Sequence, residues 1–112
     1  MQDLKEVKIK GFPKPFYVDE DGKKIVYEGK LLGIKLLKPK RHKNGYHVVY
    51  LKNEMLYVHR IIAEAYLVNP KPVAFKWVYH KNGNTLDNHF SNLSWGNREV
   101  VIENQKKFLD HQ

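Results

Sequence analysis

"WVYHKNGNTLDNHFSNLSW", residues 77–95, is the stretch on which the fold of this chain turns. Between its two tryptophans lie two His, four Asn, one Asp and a single Gly. Apolar residues crowd its ends, so two short strands are expected to flank a polar loop. Gly83 lets such a loop turn tightly, and Asn82, Asn84 and Asn88 can satisfy its backbone groups. His80 ends the first strand and is placed to act as a general base. Asn92, on the returning strand, can bond the imidazole and fix its tautomer. On these residues alone, a long loop merely satisfied by its own Asn and His side chains carries equal weight.

Upstream, "KPVAFKWV" (71–78) reads as the strand that leads into the loop. Before it, "VHRIIAEAYLVNP" (58–70) changes period: Val58, Ile61, Ile62, Ala65 and Tyr66 form one apolar face of a short helix, ended by Asn69-Pro70. His59 and Arg60 open that helix, and a lone His there is more often a packing or hydrogen-bonding residue than a ligand. Downstream of Gly96, "NREVVIENQKKFLDHQ" (97–112) reads as a second helix. Asn97 is its expected N-cap, and Glu99 lies in the first turn, where it suits the helix dipole. Val101, Gln105, Phe108 and Leu109 give it a weaker apolar stripe.

The first half is rich in strand signals. Residues 1–16 carry two prolines near their end and read as an extended approach. "FYVDEDGKKIVYEGKLL" (16–32) is a hairpin around Asp21-Gly22. Its Asp19, Glu20 and Asp21 lack the spacing and terminal Glu of a calcium loop, so they read as a turn. Lys38, Lys40, Arg41 and Lys43 form a basic run with His42 inside it, followed by an Asn44-Gly45 turn. "YHVVYL" and "MLYV" then make a second hairpin. A basic turn on a β-ribbon is able to lie against phosphates.

The chain has 112 residues, 42% of them hydrophobic, which suits one domain with a modest core. Its net charge of +8 points to a polyanionic partner. There is no Cys, which excludes disulfides, thiolate zinc sites and a Cys nucleophile. With only Ser91 and Ser94 and no nucleophile elbow, a serine hydrolase is disfavoured. The N-terminus lacks a signal-peptide core, and "IIAEAYLV" is too short to cross a bilayer, so a soluble, cytoplasmic protein with no membrane partner is expected.

Taken in order, "VHRIIAEAYLVNP", "YHKNGN", "LDN" and "NLSW" resemble the HNH endonucleases of the phage and homing type over about residues 55–97. The resemblance implies an α+β protein. N-terminal β-hairpins and a short helix would precede a ββα-metal motif with a C-terminal helix. A β-rich basic region (1–54) and an HNH-like motif (55–112) would form one compact unit. The resemblance makes His80 the general base, Asn92 the residue that orients it, Gly83 the loop glycine and Trp95 the packing aromatic. It also implies one divalent cation, magnesium or manganese, and double-stranded DNA as partner. Lys38, Lys40, Arg41, Lys43, Lys81 and Arg98 are the expected nucleic-acid contacts.

The departures are specific. Tyr79 stands where the family has Asp, Asn or His before the base, and Asn82 stands at the loop Asp. Val101 falls in the ligand slot of the last helix, with Val100 where Glu is common. Asn97, Glu99 and Asn104 are the substitute ligands within reach, though none restores the pattern. The expectation is a nucleic-acid-binding HNH-like protein with cleavage weakened or lost and no cofactor. The alternatives are an active metal-dependent nuclease using His80, and a non-enzymatic protein-interaction role on the same scaffold.

Overall fold

In a computed structural model describing residues 4–29 and 33–109, alternation of buried and exposed side chains builds the first sheet. Strand β3 (Ile25–Gly29) buries Ile25 and Tyr27 while Glu28 faces out. It pairs antiparallel with β2 (Phe16–Val18), Phe16 opposite Tyr27 and Val18 opposite Ile25. The turn between them needs Gly22: its φ is +75°, and a Cβ there would meet Val58 Cγ1 and Ile62 Cδ1. Strand β1 (Lys5–Val7) pairs with β2, and β4 (Gly33–Leu37) with β3, in the order β1-β2-β3-β4. The stretch 1–16 is thus more than an approach, since residues 5–7 join the sheet. Strand β4 buries only Leu37, so it carries no alternation for a sequence reader to find.

Strands β5 (Lys40–Arg41), β6 (His47–Leu51) and β7 (Glu54–Tyr57) form a second antiparallel sheet. The β6–β7 turn places Lys52 and Asn53 at φ 51° and 64°, the pair of left-handed residues that a tight two-residue hairpin requires. Helix α1 (Val58–Tyr66) follows at once. Its Val58, Ile61 and Ile62 pack in one core with Phe16, Val18, Tyr27, Val49, Leu51 and Leu93. A side chain of this kind stabilises by about 1.5–3 kcal/mol on full burial.

Helix α1 stops at Tyr66, earlier than Asn69-Pro70. Leu67 is already extended, and Asn69 instead organises the next loop, donating from Nδ2 to Phe75 O (2.6 Å) and accepting from Lys71 N (3.1 Å). The strand expected over 71–78 begins only at Trp77, because 71–75 is a turn closed by Phe75 N–H to Lys71 O.

Strands β8 (Trp77–His80) and β9 (Leu93–Gly96) pair antiparallel, with Val78 opposite Trp95 and His80 opposite Leu93. Helix α2 (Arg98–Leu109) packs on them, and Asn97 caps it by accepting from Val100 N at 2.9 Å. The class is α+β, and the last four elements are strand, loop, strand, helix. Residues 110–112 of the expected second helix lie outside the described residues. Among the described residues, no helix is long and apolar enough to cross a membrane.

The β8–β9 ribbon has two different faces. Paired residues share a face and neighbours along a strand alternate. Val78, His80, Leu93 and Trp95 point towards α1: Leu93 is in the core, and Trp95 Nε1 donates to Leu67 O at 3.1 Å. Trp77, Tyr79, Ser94 and Gly96 point the other way, where Tyr79 and Val100 both close on Gly96.

Candidate active site

The loop after β8 is built by its own asparagines. Gly83, at φ +77°, donates to His80 O at 3.0 Å and starts the turn. Asn82 Oδ1 accepts from Asn84 N, and Asn84 Oδ1 accepts from Leu86 N. Asn82 Nδ2 donates to Asp87 Oδ2 at 3.1 Å. Asn92 closes the far side. Its Oδ1 accepts from Asn82 N (3.0 Å), and its Nδ2 donates to Asn82 Oδ1 (2.9 Å) and Asp87 O (3.0 Å).

Asn92 is therefore a staple of the loop and does not orient the imidazole as expected; its amide is fully used by loop groups. The residue on the ring is Asn88. His80 and Asn88 are both buried, and His80 Nε2 lies 2.8 Å from Asn88 Oδ1. Asn88 Nδ2 reaches His47 Nδ1 at 3.4 Å. With the Asn88 oxygen at His80 and its Nδ2 at His47, the proton of His80 sits on Nε2 and His47 Nδ1 accepts. The His80 Nδ1 lone pair then has no protein partner among the described residues. Burial pushes the His80 pKa below its ordinary value, with the Asn88 bond and the Asp87 charge pulling part of the way back. A neutral imidazole with one bound and one free nitrogen has the form of a general base.

Three residues that sequence reasoning did not place in the site surround His80. The His59 ring lies 5.0 Å from it, and Tyr46 lies 5.9 Å from His80 and 5.2 Å from His59. Tyr57 completes the group at 5.3 Å from His59. His59 is buried, and its Nδ1 has no hydrogen-bond partner among the described residues. Burial, then the neighbouring His80 and Arg60 charges, push its pKa down to about 3, so it is neutral at pH 7. The position of His59 in the "VHR" segment was the available signal; nothing in the sequence pattern tied Tyr46 or His47 to the loop.

The first half of the chain reaches the site through the β5–β6 hairpin. Thr85 Oγ1 donates to Gly45 O at 2.7 Å, beside the His47–Asn88 contact. The basic run is thereby held against the His80 loop. Lys38, Lys40, Arg41 and Lys43 are all exposed, as are Lys81 after β8 and Arg98 at the start of α2.

A cleft of about 730 Å³ opens beside His80. His59, Tyr79, Val101 and Asn104 line it, with Trp77 and Phe108 among the aromatic residues at its wall. The substitute ligands divide. Asn97 is used as the helix cap. Glu99 lines a separate small pocket with Glu103 and Lys107. Asn104 does reach the cleft, donating from Nδ2 to His80 O at 3.1 Å, and its Oδ1 has no partner among the described residues.

This geometry has relatives. The fold matches a solved structure of DNA binding and cleavage by the HNH homing endonuclease I-HmuI, with a TM-score of 0.66 and 26% identity. The match covers 94% of this chain and 58% of that one. Two uncharacterised HNH endonucleases of Acanthamoeba polyphaga mimivirus also match. L247 is 32% identical over 96 residues (81% of this chain), and L245 is 41% identical over 66 residues (56% of this chain). This chain belongs to the HNH endonuclease family. No family model matches it, and it spans about a quarter or less of the length of the two mimivirus relatives, 23% and 19%.

HNH nucleases generally use a divalent metal. The residues around His80 do not fit one. A hard cation such as magnesium takes oxygen ligands and is held by carboxylates. Among the described residues, the lining of the cleft includes no Asp or Glu. Val101 has no lone pair, Tyr79 offers only a phenol oxygen, and Asn104 and Gln105 offer only neutral amides. Among the described residues, no group of three His, Cys, Asp or Glu could hold an ion.

Proposed function

We propose that this chain is a nucleic-acid-binding HNH endonuclease-like module, with double-stranded DNA as its polyanion, in which phosphodiester cleavage is weakened or lost. One observation carries this: the described residues that line the cleft beside His80 include Val101 and no carboxylate. Cleavage needs stabilisation of the leaving oxygen as well as a base, and His80 alone supplies only the second. The +8 charge and the exposed Lys40, Arg41 and Lys43 beside the loop support binding by phosphate contacts. Lys38, Lys81 and Arg98 belong to the same proposed surface. Residues 1–54 and 55–112 act as one unit in this proposal, supported by the Gly45–Thr85 bond between them. An intracellular setting follows from the partner.

A second reading, an active nuclease, is favoured by the His47–Asn88–His80 relay, which leaves Nδ1 free to take a proton from water. Asn104 Oδ1 would then be the surviving oxygen donor of α2. A plasmid-nicking assay with magnesium or manganese, run beside His80→Ala, separates the two. Salt-dependent binding without nicking is the expected result. Nicking that needs the metal and His80 overturns loss of cleavage, and no binding at low salt overturns the nucleic-acid assignment.

A further inference from the structure

The cleft beside His80 has an aromatic wall that a paired duplex would not use. Trp77 lines it and is 47% exposed. Its indole has no hydrogen bond, ring contact or cation contact with the described residues, whereas Trp95 has both a hydrogen bond and the Arg60 guanidinium at 5.6 Å. Phe108 lines the same cleft at 38% exposure and lies over the loop, where a Cβ on Gly83 would sit 3.1 Å from its ring. Arg60 adds a cation to the lining.

The bases of a duplex are stacked on one another and present only their edges, so a free indole face gains little from them. Unpaired bases offer their faces, and each base stacked on an aromatic side chain contributes substantially to binding. The spacing also suits a strand. Trp77 and His80 lie on opposite faces of β8, yet both line the cleft, and along the strand they are three residues, roughly 10 Å, apart, while stacked bases in one strand repeat at about 3.4 Å. About three nucleotides then span that length.

We propose that the cleft takes a short unpaired run of nucleic acid, with bases stacked on Trp77 and Phe108 and the backbone passing His80. This rests on the nucleic-acid reading above and narrows it: flanking duplex lies along the basic hairpin, and the strand in the cleft is unpaired.

The test compares a fully paired DNA duplex with the same duplex carrying three unpaired nucleotides in one strand, at low salt. The interrupted duplex is expected to bind about ten-fold tighter and to quench tryptophan emission. Trp77→Ala should remove that preference while leaving the paired duplex unchanged. Trp77→Phe should keep the preference and lose the quench, since Trp95 remains as the other fluorophore. Equal binding of both duplexes, or a preference that survives Trp77→Ala combined with Phe108→Ala, overturns the proposal and leaves the nucleic-acid reading standing. Binding of neither duplex overturns that reading itself.

Discussion

Replacing Asn88 with Ala tests the centre of the site, because that amide alone sets the His80 ring. The substitution removes the 2.8 Å contact to Nε2 and the longer 3.4 Å contact to His47. It strands a buried N–H on His80, and a buried donor left without its acceptor costs about 1–3 kcal/mol. Adding a few tenths for the weaker contact gives a destabilisation of about 1.5–3.5 kcal/mol. For a domain of this size that lowers Tm by roughly 6–14 °C, taking about 4 °C per kcal/mol.

Stability alone would not distinguish orientation from packing, so imidazole ¹⁵N shifts are the second measurement. The native protein should show the proton on Nε2. Asn88→Ala should give a mixture of tautomers and a lower titration midpoint, since the Asn88 bond raises the His80 pKa against its burial. Asn88→Asp should restore the Nε2 proton and raise the midpoint. Asn92→Ala also removes three hydrogen bonds and should destabilise to a similar extent, yet leave the His80 tautomer as it was. A native Nδ1 proton, or a tautomer shift in Asn92→Ala matching that in Asn88→Ala, would refute the assignment of roles.

The depressed His59 pKa makes the unfolded chain take up its proton first as pH falls through 6.5, so stability should be full above that point and decline towards pH 3. The slope approaches about 1.4 kcal/mol per pH unit, and urea midpoints at pH 6.5 and 5 should converge for His59→Gln relative to the native chain. Gly83→Ala, at φ +77° and against the Phe108 ring, should cost about 1–3 kcal/mol in the same assay. Joint replacement of Lys40, Arg41 and Lys43 by Gln should reduce the slope of log affinity against log salt by about 0.9 per phosphate that is no longer neutralised. An unchanged slope would remove the hairpin from the binding surface.

Local patterns in the sequence mark the hairpins and helices well. Asp21-Gly22 and Lys52-Asn53 turn where their backbone freedom allows, and the Val58–Ile61–Ile62 spacing defines α1. Strand β4 escapes because Ile34 and Leu36 are exposed apolar residues on an element with one buried position. In the site, His80 is legible as the residue that ends a strand before a polar loop. The ring's partner is not: four asparagines share that loop, and choosing Asn88 over Asn92 depends on which amide the fold buries. His59 and Tyr46 lie 21 and 34 positions before His80, and His47 lies 41 before Asn88; all three reach the site only through tertiary packing.

The alternation of β8 also bears on how neighbouring positions of the site respond to change. His80 points to the α1 side and is held by Asn88 there, while Tyr79 points to the α2 side against Val100 and Gly96. The proposed base and the residue before it are adjacent in sequence but supported by different neighbours. A substitution at Tyr79 is therefore felt by one packing environment and a substitution at His80 by another, so the two positions can vary independently.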